Sequence, residues 1–177
     1  MSIANCVVKA RLSESIQLNE LAKMLETDVK LSMGGFNSAS VKYGSGTRFL
    51  IFGSGSVMCH GRALAIMRID IDLLAAVLDL DVTEFTLVNM VCNGSMGHRV
   101  RLDLMSDLPS CQWEPELFPG LYYQPLKHKG PTFILFQSGK FYATGLNQLA
   151  EFTEHELPFR QLAGQFRPQN FGLGGKN

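Results

Sequence analysis

The fold is decided by a stretch that the chain contains twice, as Phe52-Gly-Ser-Gly-Ser-Val-Met-Cys-His-Gly61 and as Phe136-Gln-Ser-Gly-Lys-Phe-Tyr-Ala-Thr-Gly145. The phenylalanine, the Ser-Gly pair and the final glycine recur 84 residues apart. The same spacing separates Asn5-Cys-Val-Val from Asn89-Met-Val-Cys. Self-similarity at one fixed spacing is typical of a duplicated structural unit. The sequence therefore predicts a first repeat over 1–81, a second repeat over 82–166 and a flexible tail over 167–177.

Both repeats are predicted to contain the same elements in the same order. A strand opens each one, a short helix follows, and Ser13 or Ser15 is expected to cap that helix in the first repeat. A longer closing helix is expected over Arg62–Leu80 and again over Leu146–Ala163, where Pro158 should interrupt it. The predicted strands are Ile3–Leu12, Phe36–Tyr43, Arg48–Gly53, Ser56–His60, Val82–Asn93, Leu121–Pro125, Thr132–Gln137 and Lys140–Thr144. The predicted class is α+β, a tandem duplicated saddle in which a curved antiparallel sheet carries helices on its convex face.

Composition excludes several classes of protein. Of the 177 residues, 46% are hydrophobic and 18% charged, which is enough for a folded core. No apolar run approaches the roughly 20 residues of a membrane span, and the N-terminus lacks the order of a signal peptide, so we expect a soluble intracellular protein. Neither the four cysteines nor the four histidines show metal-binding or catalytic spacing. We therefore predict no cofactor, no metal and no enzymatic activity.

The uncovered face of the sheet is predicted from the two-residue alternation of strands. In the first repeat it carries three groups of side chains: Asn5, Val7 and Lys9; Leu50 and Phe52; and Ser56, Met58 and His60. The corresponding groups of the second repeat are Asn89, Val91 and Asn93; Ile134 and Phe136; and Lys140, Tyr142 and Thr144. The intervening residues are apolar as well. Strands that are apolar on both sides are normally covered on both sides. The sequence therefore indicates that a ligand or another protein covers the second face.

One segment, Trp113-Glu-Pro-Glu-Leu-Phe-Pro-Gly-Leu-Tyr-Tyr123, resembles the second-repeat stirrup (the loop at the end of the saddle) of TATA-box-binding proteins. The hairpins Leu50-Ile-Phe-Gly-Ser-Gly55 and Ile134-Leu-Phe-Gln-Ser-Gly-Lys140, with Thr144-Gly145, resemble those of the same family, as does the joining strand Asn89-Met-Val91. The resemblance covers about residues 4–164. It implies a monomeric saddle that binds and bends double-stranded A·T-rich promoter DNA through the minor groove, as a general transcription initiation factor.

The resemblance also implies a role for particular residues. Two phenylalanine pairs, Phe36 with Phe52 and Phe118 with Phe136, would wedge open base steps, and Asn5 and Asn89 would read the centre of the groove. The remaining implied DNA contacts are Val7, Lys42, Leu50, Met58, His60, Val91, Ile134, Lys140, Tyr142 and Thr144. Glu114, Glu116 and Leu117 would contact a transcription factor IIB-like protein, and the first-repeat stirrup, Tyr43 to Arg48, a IIA-like protein.

Several residues depart from the family pattern. Ser56 stands where a lysine is expected, Gln124 where an arginine is expected, and His60 where a threonine is expected. The sixteen basic and sixteen acidic residues cancel, and the closing helix of the first repeat holds three aspartates and only two arginines. Phosphate neutralisation supplies much of the affinity for DNA. We therefore expect weaker and more factor-dependent DNA binding than is usual in the family.

Other functions stay open at this point. Met58 and Tyr142 stand where the family has small floor residues. The neutral net charge, Tyr142 and His60 favour a regulator that binds transcription factors with little sequence-specific DNA binding. A further alternative is an accessory domain of a nucleic-acid enzyme, although no catalytic residues support it. The open concave face also allows self-association. The expected location is the nucleus, or the site of viral transcription if the source is a large DNA virus.

Overall fold

The computed structural model describes residues 2–25, 30–32, 37–126 and 130–168. Its elements follow the order β-α-β-β-β-β-α twice, which confirms the expected duplication. The first set is β1 (Ser2–Leu12), α1 (Leu18–Met24), β2 (Lys30–Ser32), β3 (Ser38–Lys42), β4 (Arg48–Phe52), β5 (Ser56–Gly61) and α2 (Leu64–Val77). The second set is β6 (Val82–Ser95), α3 (Leu102–Met105), β7 (Cys111–Gln112), β8 (Leu121–Tyr123), β9 (Thr132–Leu135), β10 (Lys140–Leu146) and α4 (Leu149–Gly164).

The chain forms two compact units. The N-terminal unit spans Ile3–Val91, and the C-terminal unit begins at Cys92 and also includes Ser2. The strands of the first repeat lie in the order β2-β3-β4-β5-β1 and those of the second in the order β7-β8-β9-β10-β6, so the two follow one topology, and β6 also borders β1. The division falls inside β6, whereas the predicted boundary between the repeats, residue 82, is where β6 begins. The α+β class and the antiparallel sheet are as the sequence predicted.

Each unit has its core on one side of its strands. In the N-terminal unit, Phe49, Ile51 and Val57 are fully buried beneath α2, whose Met67 and Leu74 are also fully buried. In the C-terminal unit, Phe133 stacks on Phe159 of α4 with 4.2 Å between ring centroids, and Phe152 and Phe141 complete the cluster. These rings exclude water from the helix side of the strands, which is the largest favourable contribution to folding.

The repeated hairpins are held in the same way in both units. Leu12 and Ile16 donate backbone hydrogen bonds of 2.9 Å to the carbonyls of Gly55 and Gly53. Their equivalents 84 residues later, Met96 and Val100, donate to Gly139 (2.8 Å) and Gln137 (3.1 Å). Gly55 and Gly139 have φ of 81° and 83°, and a Cβ on either would collide with the carbonyl oxygen of Glu14 or His98. Glycine is therefore required at both positions for two reasons: the backbone has a positive φ, and a side chain would collide with the carbonyl oxygen beside it.

Three local expectations were wrong. Gln17, not a serine, occupies the N-cap of α1, and it makes no side-chain cap hydrogen bond. Helix α4 continues through Pro158, since that residue is exposed and the carbonyl left without its N–H partner can bind water. The short strands β2 and β7 were missed because neither has enough residues to show an alternating pattern. The predicted tail lies mostly outside the described residues, as does the expected start of a strand at Phe36.

Among the described residues, none of the helices combines the length and apolar character that crossing a membrane requires.

The hairpin glycines provide a test of the repeated packing. We expect Gly139→Ala to lower the free energy of unfolding by about 3 kcal/mol, because backbone strain adds to a collision with the chain at His98. Gly97→Ala is the matched control, since Gly97 has φ of 75° but open space around it, and it should cost about 1 kcal/mol. Urea unfolding followed by circular dichroism measures both. Equal losses of unfolding free energy in the two variants would show that the collision with the chain at His98 contributes nothing to the loss.

Candidate nucleic-acid interface

The open face, meaning the side of each unit's strands turned away from its helices, carries the predicted binding residues. Fifteen of the sixteen predicted DNA contacts lie in the described part of the chain, and none of the fifteen is buried. Phe36 lies outside it. The residues that alternate with them, Cys6, Val8, Ile51, Val57, Cys59, Leu135, Phe141 and Ala143, are at most 1% exposed. The alternation inferred from the sequence is therefore the one the strands adopt.

Two cross-strand rows form the open face of the N-terminal unit. The strand register places Lys42 beside Arg48, Arg48 beside His60, and His60 beside Val7. The parallel row runs through Lys30, Ser40, Leu50, Met58 and Lys9. Four of these residues are lysine or arginine, and all four are exposed. The face is thus basic, although the whole chain has no net charge.

The sequence analysis missed two of these basic residues. Arg48 precedes Leu50 by two residues on β4, so the same alternation could have placed it on the open face. Lys30 could not have been found, because its position depends on pairing of the unpredicted strand β2 with β3. Together with Lys42 and Ser40, these two residues line an open surface cavity. Lys9 differs from them, since its Nζ lies 3.2 Å from a carboxylate oxygen of Glu84.

Aromatic rings dominate the open face of the C-terminal unit. Phe118 and Phe136 lie edge to face with 5.9 Å between centroids, which places the predicted pair in contact. Tyr122 lies 5.5 Å from Phe118, and Tyr142 lies 6.0 Å from Phe136. Gly120 permits this cluster, because a Cβ there would stand 2.5 Å from the Phe118 ring and 3.2 Å from the Phe136 ring. Phe118, Tyr122 and Tyr142 are each more than a third exposed.

The two open faces therefore differ in chemistry. The cross-strand neighbours show the change: Ser40 and Met58 flank Leu50 in the N-terminal unit, whereas Tyr122 and Tyr142 flank the equivalent Ile134 in the C-terminal unit. Lys140 is the charged member of the C-terminal set, and it is exposed at the start of β10. Asn5 and Asn89, on the opening strands β1 and β6, are both half-buried.

The second stirrup exposes an apolar side chain, Leu117, close to two glutamates, Glu114 and Glu116. The backbone N–H groups of Leu117 and Phe118 donate to the carbonyl of Glu114 at 3.0 and 2.9 Å, which closes a tight turn. Leu117 is 81% exposed, and Glu114 and Glu116, which precede it in the same turn, are exposed as well. A leucine so exposed gains most from a partner's apolar pocket.

The first stirrup is tied to helix α2. Ser45 donates a hydrogen bond to the Asp70 carboxylate, and Tyr43 donates its backbone N–H to the Thr47 carbonyl at 2.8 Å. Burial raises the pKa of the Tyr43 hydroxyl, and the negative charge of Asp70 raises it further. Asp70 is only 6% exposed. It is one of the aspartates of this helix, and its hydrogen bond to Ser45 holds the stirrup in place.

No group of three or more histidine, cysteine, aspartate or glutamate side chains within the described ranges could hold a metal ion.

The family model "Transcription factor TFIID (or TATA-binding protein, TBP)" matches residues 84–155. A TATA-box-binding protein of Methanosphaera stadtmanae is 30% identical over 155 residues, which cover 82% of this chain and 83% of that protein. Another, from Methanocaldococcus jannaschii, is 32% identical over 157 residues, with coverage of 82% and 84%. The solved structure of Methanococcus jannaschii TBP superposes with a TM-score of 0.81 at 26% identity, over 93% of this chain and 98% of that chain.

The source of these relatives bears on location. They come from archaea, which have no nucleus, so the nuclear or viral location expected from the sequence finds no support in them.

The share of each chain that these similarities cover decides the family. Similarity of about 30% extends over four fifths of both chains, and the strands and helices superpose over almost the whole of both structures. The chain therefore belongs to the TATA-box-binding protein family.

Proposed function

We propose that this protein is a general transcription initiation factor that binds and bends promoter DNA through the minor groove. The observation that carries the proposal is the contacting pair Phe118 and Phe136, held on an uncovered face with Phe118 more than a third exposed. A soluble protein gains nothing by presenting such rings to water, and they mark a surface built to be covered.

The aromatic cluster suits insertion between base steps. Phe118 and Phe136 are supported from the sides by Tyr122 and Tyr142, so the rings are already ordered before DNA arrives. Ordering in advance reduces the entropy that binding must lose. A ring inserted between two bases costs unstacking free energy, and the bent duplex then offers more surface to the protein. Bending and binding should therefore depend on the same two side chains.

The rest of the open face suits the floor of an A·T-rich minor groove. An asparagine amide both donates and accepts, and the N3 and O2 acceptors of the groove give Asn5 and Asn89 partners. Val7, Val91, Leu50 and Ile134 are half-exposed and uncharged, so they can follow the floor closely without leaving a charge unpaired. A guanine N2 amino group would meet these side chains without an acceptor. This favours A·T pairs over G·C pairs.

Phosphate contacts come chiefly from the N-terminal unit in this proposal. Lys30, Lys42 and Arg48 are exposed and adjacent, and none of their charges is absorbed by a salt bridge that the structure records. Their concentration on one face explains how a chain of zero net charge can still attract a polyanion. The sequence-based expectation of weaker, factor-dependent binding is retained, because few such residues lie on the C-terminal open face.

Partner proteins are proposed at the two stirrups. Leu117 with Glu114 and Glu116 suits a IIB-like factor that offers an apolar pocket between basic residues. The first stirrup, ordered through Ser45 and Asp70, suits a IIA-like factor. The alternative function is a regulator that binds such factors without bending DNA. Tyr142 favours it, since that ring is 41% exposed where a small floor residue is expected. Self-association through the same open face is a further alternative, and DNA would compete with a second copy for that face.

The first prediction of the proposal concerns bending. Replacement of the second-repeat wedge pair, Phe118→Ala with Phe136→Ala, should strongly reduce bending of an A·T-rich duplex, since no ring remains to open the base step that this pair contacts. Energy transfer between dyes at the duplex ends measures it. Leu157→Ala, on an exposed position of α4, is the matched control and should bend DNA like the unmodified chain. Absence of bending by the unmodified chain at low salt would favour the regulator instead.

The second prediction concerns salt. Lys42→Gln and Arg48→Gln should each weaken DNA binding and reduce the slope of log K against log salt by about 0.9, because each removes one phosphate contact. Lys23→Gln, an exposed lysine of α1, should leave the slope unchanged. Fluorescence anisotropy over a salt series gives the slopes. An identical slope for all three variants would remove the N-terminal open face from the proposed interface.

The third prediction concerns the second stirrup. Leu117→Ala should weaken recruitment of a transcription factor IIB-like protein to the protein–DNA complex at least tenfold, while bending of DNA by the protein alone stays unchanged. Leu126→Ala, another leucine more than half exposed, is the matched control. A gel-shift titration with the factor from a methanogenic archaeon measures recruitment. Equal recruitment by both variants would place the partner elsewhere.

A further inference from the structure

The open face of the N-terminal unit holds a carboxylate among its basic residues. Lys9 lies on β1 between the fully buried Val8 and Ala10, and Met58 is its cross-strand neighbour on β5. The Lys9 Nζ atom lies 3.2 and 3.3 Å from the two carboxylate oxygens of Glu84, which is on the adjacent strand β6. The other three salt bridges recorded among the described residues are at helices α2, α3 and α4. Lys9 is thus the cation of the open face whose charge is already neutralised within the chain.

Glu84 faces the same side of the strands as Lys9. The next residue, Phe85, faces the helices, because Arg68 of α2 lies over its ring, 5.3 Å from the centroid. Successive side chains of a strand point to opposite faces, so Glu84 points to the open face. The side chains of Lys9 and Glu84 are 48% and 35% exposed. Val7, a proposed contact with the groove floor, precedes Lys9 by two residues on β1, so the ion pair adjoins the proposed DNA interface.

The ion pair changes what Lys9 offers to a polyanion. A lysine that binds a phosphate gains affinity because counterions are released from the DNA. To reach a phosphate, Lys9 must leave Glu84, whose negative charge is then unpaired beside the duplex. The loss of one ion pair and the new repulsion offset the gain. Lys42 and Arg48 carry no such cost, since the structure records no salt bridge for either of them.

From the position and the pairing of these two residues, we propose that Glu84 is an internal competitor of DNA for Lys9 and holds the affinity of the chain for DNA below what its basic residues allow. The inference rests on the proposed function, because it concerns the same open face. It is restricted to the N-terminal unit. The residue 84 positions after Lys9 is the uncharged Asn93, which accepts a hydrogen bond of 2.6 Å from the hydroxyl of Ser2.

Removal of the carboxylate is the main test. Glu84→Gln should tighten binding to an A·T-rich duplex about fivefold at about 0.15 M salt, and increase the slope of log K against log salt by about 0.9, because Lys9 gains one phosphate. Asp72→Asn is the matched control. It makes the same change in net charge and releases Arg68 from a salt bridge on α2, away from the open face, so the slope should stay unchanged. Fluorescence anisotropy over a salt series measures both variants.

Replacement of the lysine tests whether the effect passes through Lys9. Lys9→Gln should weaken DNA binding, since Glu84 then faces the duplex without its partner. Lys9→Gln combined with Glu84→Gln should bind with about the affinity and salt slope of the unmodified chain, because both charges of the pair are absent. A combined variant that keeps the fivefold gain of Glu84→Gln overturns the proposal. An exposed ion pair contributes little to stability, so all variants should remain folded by circular dichroism.

The outcomes separate this inference from the proposed function. An unmodified chain that binds and bends the duplex, with the same affinity and slope for Glu84→Gln, overturns the competition by Glu84 and leaves the proposed function standing. Binding that becomes measurable only in Glu84→Gln supports the competition. Absence of binding at low salt by both the unmodified chain and Glu84→Gln overturns both proposals.

Discussion

The structure depends on burying one side of every strand while the other side stays uncovered. On the helix side, Phe49, Phe133, Phe141 and Phe159 are nearly inaccessible to water, and the small residues Cys6, Ala10 and Ala143 let the helices approach the strands closely. Because side chains alternate, this burial determines which residues must face the other way. Each unit then holds its hairpin at a fixed place through backbone hydrogen bonds at Gly55 and Gly139. These hydrogen bonds fix the position of each hairpin on its open face.

Duplication has produced two open faces with one backbone and different chemistry. Strands β4 and β5 pair in the same register as β9 and β10 do 84 residues later, so the two open faces differ there in their side chains. The N-terminal face combines Lys30, Lys42 and Arg48 with small residues, whereas the C-terminal face is lined by stacked aromatic rings. Positive charge attracts a polyanion from a distance, and apolar rings act only in contact. The proposed attraction and distortion of DNA are thus assigned mainly to different halves of the chain.

Helix α2 shows how a single element can serve two surfaces. Asp70 on its buried side accepts a hydrogen bond from Ser45 and so orders the first stirrup, while Ile69 and Leu73 on its outer side remain uncovered. In a linear list these residues look alike, as a mixture of acidic and apolar positions. The role of each residue depends on its position around the helix axis, because that position decides whether it is buried against the strands or exposed.

The sequence by itself determined the duplication, the α+β class and the side of each strand on which most candidate residues lie, because a repeat spacing and a two-residue alternation are local properties of the chain. The resemblance to the family added the expectation that Phe118 and Phe136 form a pair. Only the tertiary structure decided that Lys30 and Arg48 stand beside Lys42, that Asp70 is buried, that α4 continues through Pro158, and that a stripe of α2 is left uncovered. These outcomes depend on which distant segments pair and pack, and the free energy of a buried contact or a solvated carbonyl is set by neighbours that lie far away in the sequence.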